Sequence, residues 1–334
     1  MAEDGRVATV STAHRARARR GRTTAALLAA VVAASLAAGC TSGNGGSKDD
    51  GSSPDQKPGH SRAAAGSVLA VKIDNSRRAR PHTGLDSADV VYAEQVEGGM
   101  SRLMAVYASK LPAAVGPVRS ARETDLELLR QFEQPTLAYS GAQSKLMPLI
   151  DRAPLRAEPP GRTSGAFYRG PDRPAPHNLY LRPAALLPEA PGAAALTTGF
   201  SYGAAPKGGT ADAYETVKYP AARFTFIWSA SHHGWLVSMD GVGATTTDAG
   251  RLAPPTVVVQ YVKLRKSDYF DSLGNNTPFT ETVGTGRAKV LRDGKAFDVT
   301  WSRPTATDGT RFATKDGKPV NFAEGQVWVV FAKA

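Results

Sequence analysis

The chain has 334 residues and a single cysteine, Cys40, so it cannot form an internal disulfide. An uncharged run of about 14 residues, 25–38, comes shortly before this cysteine. It is preceded by a group of basic residues, Arg15, Arg17, Arg19, Arg20 and Arg22. The run is shorter than the roughly 20 apolar residues that a membrane-spanning helix needs. A basic segment, a short apolar run and small residues at its end favour a secretory signal over residues 1–39.

Cys40 directly follows Gly39, and this position resembles the lipobox of bacterial lipoproteins, in which the cysteine is lipidated and becomes the mature N-terminus. Ala37 stands where a lipobox usually has Leu, and Leu36 lies one residue earlier. The alternative is an ordinary secretory signal followed by an incidental cysteine. The lack of any other cysteine favours lipidation, because exported proteins of this size either pair their cysteines or avoid them. We therefore expect a lipid anchor at Cys40 on the extracytoplasmic face of a bacterial membrane.

Composition restricts the class of partner. Residues 40–67 are rich in Gly, Ser, Pro and charged side chains and have no apolar period, which predicts a flexible tether. The formal charge is +11, but residues 1–39 hold a net four of these charges, so the remainder carries +7. This excess is not gathered into a basic stripe with interleaved aromatic residues, which argues against nucleic acid. An anionic wall polymer, anionic lipid headgroups or an envelope protein are better matched.

The apolar pattern predicts an α+β protein: a mixed α/β N-terminal domain over residues 68–207, followed by a mostly β C-terminal domain over residues 212–333. In the first domain we expect strands at 68–74, 88–96, 103–109 and 136–141, and helices at 122–132 and 142–151. Residues 153–207 are rich in Pro, Gly and Ala and predict a long loop. In the second domain we expect strands at 222–228, 234–240, 256–262, 286–294, 296–302 and 326–332.

Several motifs in order resemble one known family. They are IDNSRRARPHTGL (73–85), ADVVYAEQVEGGMSRLMAVY (88–107), GPVRSAR (116–122), APHNLY (175–180) and the later GRAKVLRDG with TWSRP. Together they are similar to the YerB-type lipoproteins, also described as domain of unknown function 3048 with N- and C-terminal domains. The resemblance implies a two-part extracytoplasmic lipoprotein and supplies no established activity.

The segment GPVRSAR offers a candidate anion site. Ser120 followed by Glu123 has the spacing of a capping box, which predicts Ser120 as a helix N-cap. Alternatively, Arg119 and Arg122 form an anion clamp with the free N–H groups of that helix. A third possibility is that both arginines form structural ion pairs with neighbouring carboxylates.

Glu97, Gly98 and Gly99 are followed by Arg102, and the two glycines predict a tight turn between paired strands. Glu94 and Glu97 are three residues apart, so in a regular strand they would lie on opposite faces and could not form a catalytic carboxylate pair. We expect Glu97 to hold an arginine side chain in place.

Further candidates lie at a strand end and in the long loop. Asp74 and Asn75 end the first predicted strand and could project into a cleft or simply form a turn. His177 and Asn178 lie in the irregular segment, where a histidine could act as a general base, a ligand or a structural hydrogen-bond partner.

Two hypotheses of different class follow. In the first, the protein is a non-enzymatic envelope lipoprotein that binds a polar or anionic ligand or a protein partner. Its ligand-binding residues would be Asp74, Asn75, Arg80, Glu97, Arg102, Arg119, Ser120, Arg122, His177 and Asn178. In the second, it is an enzyme acting on cell-wall polymer through Glu97 or Asp74 as base and His177 as acid. The sequence contains no metal-binding or cofactor-binding motif, so neither group is expected.

Overall fold

The computed structural model describes residues 66–271 and 273–334. The predicted signal, the predicted lipidation site Cys40 and the predicted tether up to residue 65 lie outside these residues. Within them, strands prevail over helices, so the fold is mixed and largely β. No helix of the described part is long and apolar enough to cross a membrane.

The N-terminal half contains strands and two short helices. Its strands are β1 (Leu69–Asp74), β2 (Val90–Gln95), β3 (Ser101–Tyr107), β4 (Thr136–Ala138), β5 (Arg156–Glu158), β6 (Phe167–Arg169) and β7 (Leu179–Leu181). Its helices are α1 (Glu123–Leu128) and α2 (Met147–Arg152), with 3-10 turns at Arg77–Ala79, Leu85–Ser87, Glu97–Gly99, Leu129–Gln131, Pro183–Ala185 and Ala193–Ala195.

The described residues of the C-terminal half form strands and one 3-10 turn, Ala230–His232. The strands are β8 (Ser201–Tyr202), β9 (Thr210–Ala211), β10 (Tyr214–Lys218), β11 (Arg223–Ser229), β12 (Gly234–Met239), β13 (Val242–Gly243), β14 (Thr245–Thr246), β15 (Gly250–Arg251), β16 (Thr256–Val262), β17 (Leu264–Phe270), β18 (Asn276–Thr280), β19 (Gly284–Arg292), β20 (Lys295–Arg303), β21 (Arg311–Ala313), β22 (Asn321–Phe322) and β23 (Val327–Lys333).

A large sheet takes strands from both halves. Its order is β21-β20-β19-β16-β23-β2-β3-β1-β4-β5, with β9 added beside β20. The strand β23 lies at the junction, where it pairs in parallel with β16 on one side and with β2 on the other. The two halves recognised in the sequence thus share one continuous set of backbone hydrogen bonds.

The central strands bury both of their faces. In β1, Val71 and Ile73 point into one core, while Ala70 points into the other. The first core is closed by the four-stranded sheet β10-β11-β12-β13, and the second by α1, α2 and nearby strands. A polar residue within such a strand, such as Lys72 or Asp74, must therefore find a partner inside the protein.

The hairpin of β17 and β18 was not predicted from the sequence. It follows β16 and packs against α1 and the turn Glu97–Gly99. This hairpin closes one side of the candidate functional site.

Candidate functional site

Asp74, at the end of β1, holds His177 from the long loop. Its Oδ2 lies 2.8 Å from His177 Nδ1, and its Oδ1 accepts a 3.0 Å hydrogen bond from the Ser76 N–H. Arg119 Nε lies 3.5 Å from the same Oδ2. Burial acts to raise the pKa of Asp74, but the Ser76 and His177 hydrogen bonds and the Arg119 charge outweigh it and lower the pKa. Asp74 is therefore a stable carboxylate, better suited to orienting His177 than to taking up a proton itself.

Asn75 and Arg80 form a second set of contacts beside Asp74. Arg80 donates from Nε to Asn75 Oδ1 at 3.1 Å and pairs with Asp240 Oδ2 at 2.9 Å. Asn75 in turn donates to Ser101 Oγ at 2.9 Å. These contacts join the loop after β1 to the C-terminal half, and a role of Asn75 and Arg80 in ligand binding stays a prediction.

The turn between β2 and β3 places Glu97, and it is built from glycine for a physical reason. Gly98 and Gly99 have φ of +62° and +70°, a region that favours glycine. A Cβ on Gly99 would lie 2.5 Å from Pro220 Cβ, so the turn can approach the C-terminal half only without a side chain. As expected, the turn joins two paired antiparallel strands.

Glu97 is buried and binds arginine. Both of its carboxylate oxygens accept hydrogen bonds from Arg122, and the bond from Nη2 measures 2.9 Å. Thr277 of β18 donates to Oε1 at 2.5 Å. Although burial acts to raise the pKa of Glu97, the bonds and charge of Arg122 and the charge of Arg102 lower it. The expectation that Glu97 holds an arginine agrees with these contacts.

The start of α1 differs from the prediction. The N-cap residue is Arg122, whose N–H donates to Asp125 Oδ2 at 2.7 Å, and Ser120 lies outside the helix. The predicted capping box of Ser120 and Glu123 is therefore wrong, because Asp125, three residues after Arg122, supplies the carboxylate instead. The helix has six residues rather than the predicted eleven, and the 3-10 turn Leu129–Gln131 follows it. Participation of its N-terminus in anion binding stays a prediction.

Arg102, Arg119 and Arg122 line one cavity of about 520 Å³. Arg122 is neutralised by Glu97, but Arg102 lies 4.0 Å from that carboxylate and, in the described part of the chain, donates one hydrogen bond, to the Ser120 carbonyl at 3.2 Å. Arg102 is only 8% exposed. Burial, followed by the positive charge of Arg122, lowers its pKa to about 10. We call this space the arginine cavity; its lining residues are Glu97, Met100, Arg102, Arg119, Ser120, Ala121, Arg122, Glu123, Ala142, Gln143, Leu146, Tyr269, Phe270, Asp271, Leu273 and Thr277.

Apart from Glu97, the acids that line the arginine cavity are engaged by residues other than its three arginines. Asp271 accepts hydrogen bonds from the backbone and side chain of its own hairpin turn, at Leu273 and Asn275. Glu123 lies 4.0 Å from Arg265. Arg102 and Arg119 therefore keep donors and charge that can be directed at a ligand.

Lys72 belongs to a buried ionic group beneath the site. This group was not predicted from the sequence. Its Nζ donates to Glu94 and, at 2.7 Å, to Asp125 Oδ1, and the side chains of Lys72 and Asp125 are fully buried. Burial raises the pKa of Glu94, and Lys72 opposes this effect. The group fixes α1 against β1 and β2, and thereby positions Arg122. A lysine inside the apolar strand 68–74 was the available sequence signal.

The predicted residues thus fall into two adjoining groups. Asp74, Asn75, Arg80 and His177 form one, whereas Glu97, Arg102, Ser120 and Arg122 belong to the arginine cavity. Arg119 belongs to both groups, because it lines the cavity and lies 3.5 Å from Asp74. Asn178 is in neither, because it binds Arg169 at 2.7 Å and the Gly170 carbonyl at 3.0 Å within its own loop.

The enzyme hypothesis required His177 to meet an acid at the bottom of a cleft. His177 meets Asp74, but Glu97 is bound to Arg122, and the described lining of the arginine cavity includes neither Asp74 nor His177. No cluster of His, Cys, Asp and Glu suited to a metal ion occurs among the described residues. The sequence analysis did not predict that Glu123, Gln143, Tyr269 and Phe270 line the cavity. The polar turn around Gly274 could have indicated the hairpin that carries Tyr269 and Phe270.

Comparisons with known proteins agree with this architecture. The chain is 25% identical over 281 residues to the Bacillus subtilis (strain 168) protein YerB, whose name describes a lipoprotein, covering 78% of this chain and 80% of YerB. The crystal structure of YerB from Bacillus subtilis matches the fold with a TM-score of 0.66 at 21% identity, covering 80% of this chain and 91% of that one. Residues 56–196 match the N-terminal domain of the protein of unknown function DUF3048, and residues 215–329 match its C-terminal domain. The chain therefore belongs to the DUF3048 family.

Proposed function

We propose that this protein is a lipid-anchored, extracytoplasmic binding protein whose arginine cavity holds the anionic group of a cell-envelope ligand. The similarity to a lipoprotein and the sequence around Cys40 support the location. The arrangement of Arg102 and Arg119 supports the binding role. Both guanidinium groups line the cavity, and their nearest carboxylates are not at short hydrogen-bond distance: Glu97 lies 4.0 Å from Arg102, and Asp74 lies 3.5 Å from Arg119.

Charge and burial explain why an anion would be favoured. Arg102 is held next to Arg122 in a poorly hydrated place, and an incoming anion would relieve the repulsion between the two guanidinium groups. Planar guanidinium groups match the oxygens of phosphate and carboxylate well. Glu97 holds the guanidinium group of Arg122 in place, so the ligand does not have to order that group.

The test uses the full-length protein and inorganic phosphate at constant ionic strength. We expect phosphate to raise the melting temperature and to bind in calorimetry. Arg119→Gln should weaken binding by roughly tenfold or more, because charge-assisted hydrogen bonds are each worth about 1.5–3 kcal/mol. The exposed Arg130, replaced by Gln, is the matched control and should bind as the wild type does. Equal affinity in all three proteins would refute the proposal.

A second candidate function, hydrolysis of cell-wall polymer, is supported by the contact between His177 and Asp74. A carboxylate on Nδ1 fixes the imidazole tautomer and leaves Nε2 free to accept a proton from a substrate or water. For this function we expect released product when the full-length protein is incubated with wall polymer. Both His177→Gln and Asp74→Asn should lower the rate by about 10²-fold or more. Turnover that survives both substitutions would exclude the pair, and binding without product would favour the first function.

A further inference from the structure

Two residues that line the arginine cavity each carry one acceptor atom without a donor. Glu123 Oε2 and Gln143 Oε1 are buried, and neither has a hydrogen-bond partner among the described residues. Both residues line the cavity. Buried acceptors are nearly always paired in folded proteins, because leaving them unpaired is costly. A carboxylate or a fully ionised phosphate cannot pair with them, since such an anion offers acceptors alone.

The cavity also presents an aromatic surface. Tyr269 and Phe270, at the end of β17, line the cavity, and Phe270 is 46% exposed. An aromatic ring exposed to this extent can receive the apolar face of a ligand ring. The cavity volume of about 520 Å³ lies within the range of small-molecule sites, so there is room for a ring next to the anionic group.

We propose that the ligand of the arginine cavity is an anionic saccharide, that is, a sugar ring that carries a phosphate or carboxylate group. This inference rests on the proposed anion binding and adds the class of ligand. Arg102 and Arg119 bind the acidic group, sugar hydroxyls exchange hydrogen bonds with the polar groups of Glu123 and Gln143, and the C–H face of the ring packs on Phe270. A saccharide supplies the charge, the donors and the apolar face that these side chains require together.

The test compares four probes on the full-length protein by calorimetry: inorganic phosphate, phenyl phosphate, a hexose phosphate and the uncharged hexose. We expect the hexose phosphate to bind at least about tenfold more tightly than inorganic phosphate, as two added hydrogen bonds permit. The uncharged hexose should bind more weakly than the hexose phosphate, and phenyl phosphate should not match the hexose phosphate.

Variants separate this inference from the proposed function. Gln143→Leu should reduce the preference for the hexose phosphate over inorganic phosphate several-fold while phosphate affinity is kept. Exposed Ser144, replaced by Ala on the same turn, is the control and should leave the preference unchanged. Equal binding of inorganic phosphate and hexose phosphate would overturn the saccharide and leave anion binding intact. Stronger binding of phenyl phosphate would likewise replace the saccharide with an apolar anion, and no binding of any phosphate would overturn both proposals.

Discussion

At the scale of single residues, His82 links the site to stability in mildly acidic solution. It is fully buried, and its Nε2 lies 3.0 Å from the Asp74 carbonyl. Burial, followed by the positive charge of Arg80, lowers the pKa of His82 from 6.5 to about 4, with Asp74 acting in the opposite direction. The imidazole is therefore neutral in the folded protein and donates to that carbonyl.

This burial predicts a pH dependence. Below the unfolded pKa of 6.5 the unfolded chain binds a proton that the folded chain excludes, so stability falls as the pH drops from 6.5 towards 4. Relative to His82→Gln, which has no titrating ring, the wild type should lose on the order of 3 kcal/mol across this window. Urea unfolding at several pH values measures the difference. Exposed His232, replaced by Gln, is the control, and parallel curves for wild type and His82→Gln would contradict the burial.

Single residues were predicted unevenly. The strand end at Asp74, the pairing of Glu97 with arginine and the importance of His177 could be inferred from local patterns. The contact between Asp74 and His177 could not, because 103 residues separate them and only the folded loop brings them together. Ser120 was misassigned because its spacing to Glu123 and the spacing of Arg122 to Asp125 are the same, and the sequence alone does not decide between them.

At the scale of elements, the turn of Gly98 and Gly99 offers a matched pair of substitutions. Gly98→Ala should cost roughly 1 kcal/mol, because it meets only the backbone penalty of positive φ. Gly99→Ala should cost about 1–3 kcal/mol more, since its Cβ would also collide with Pro220. Urea unfolding of both variants gives the difference. Equal destabilisation would show that Pro220 moves away freely.

The longer strands were predicted closely, both where nearly every residue is buried, as in β16, and where buried and exposed residues alternate, as in β20. β1, β2, β16, β20 and β23 each begin and end within two residues of their expected bounds. The hairpin of β17 and β18 was missed because charged residues alternate with its few apolar ones, and much of it is exposed. Since that hairpin supplies the aromatic side of the arginine cavity, the cavity itself was beyond a reading of local patterns.

At the scale of the whole molecule, the shared sheet bears on the two predicted domains, 68–207 and 212–333. The division into these two domains stays a prediction, and β23 argues that each depends on the other. Its register joins Val90 to Val327 and Thr256 to the same Val327, so each half contributes a neighbour to one strand. Without β23, both β2 and β16 would expose apolar edges.

This arrangement predicts one cooperative unfolding transition for the full-length protein, in calorimetry and in circular dichroism alike. Removal of residues 327–334 should abolish that transition and the near-ultraviolet circular dichroism signal of the packed aromatic side chains, because the sheet loses a buried strand. Removal of residues 1–65 is the control and should preserve the transition. Two separate transitions in the full-length protein would instead favour independent domains.

The position of β23 also sets the order of events as the chain is made. The ribosome finishes β2 at residue 95, which is 232 residues before β23, its parallel neighbour, begins at residue 327. Contacts between such distant segments form late, because the chain between them must first be ordered. Until then the apolar edge Val90–Gln95 stays open to neighbouring chains, which makes it the segment whose protection decides how much of the newly made protein escapes aggregation.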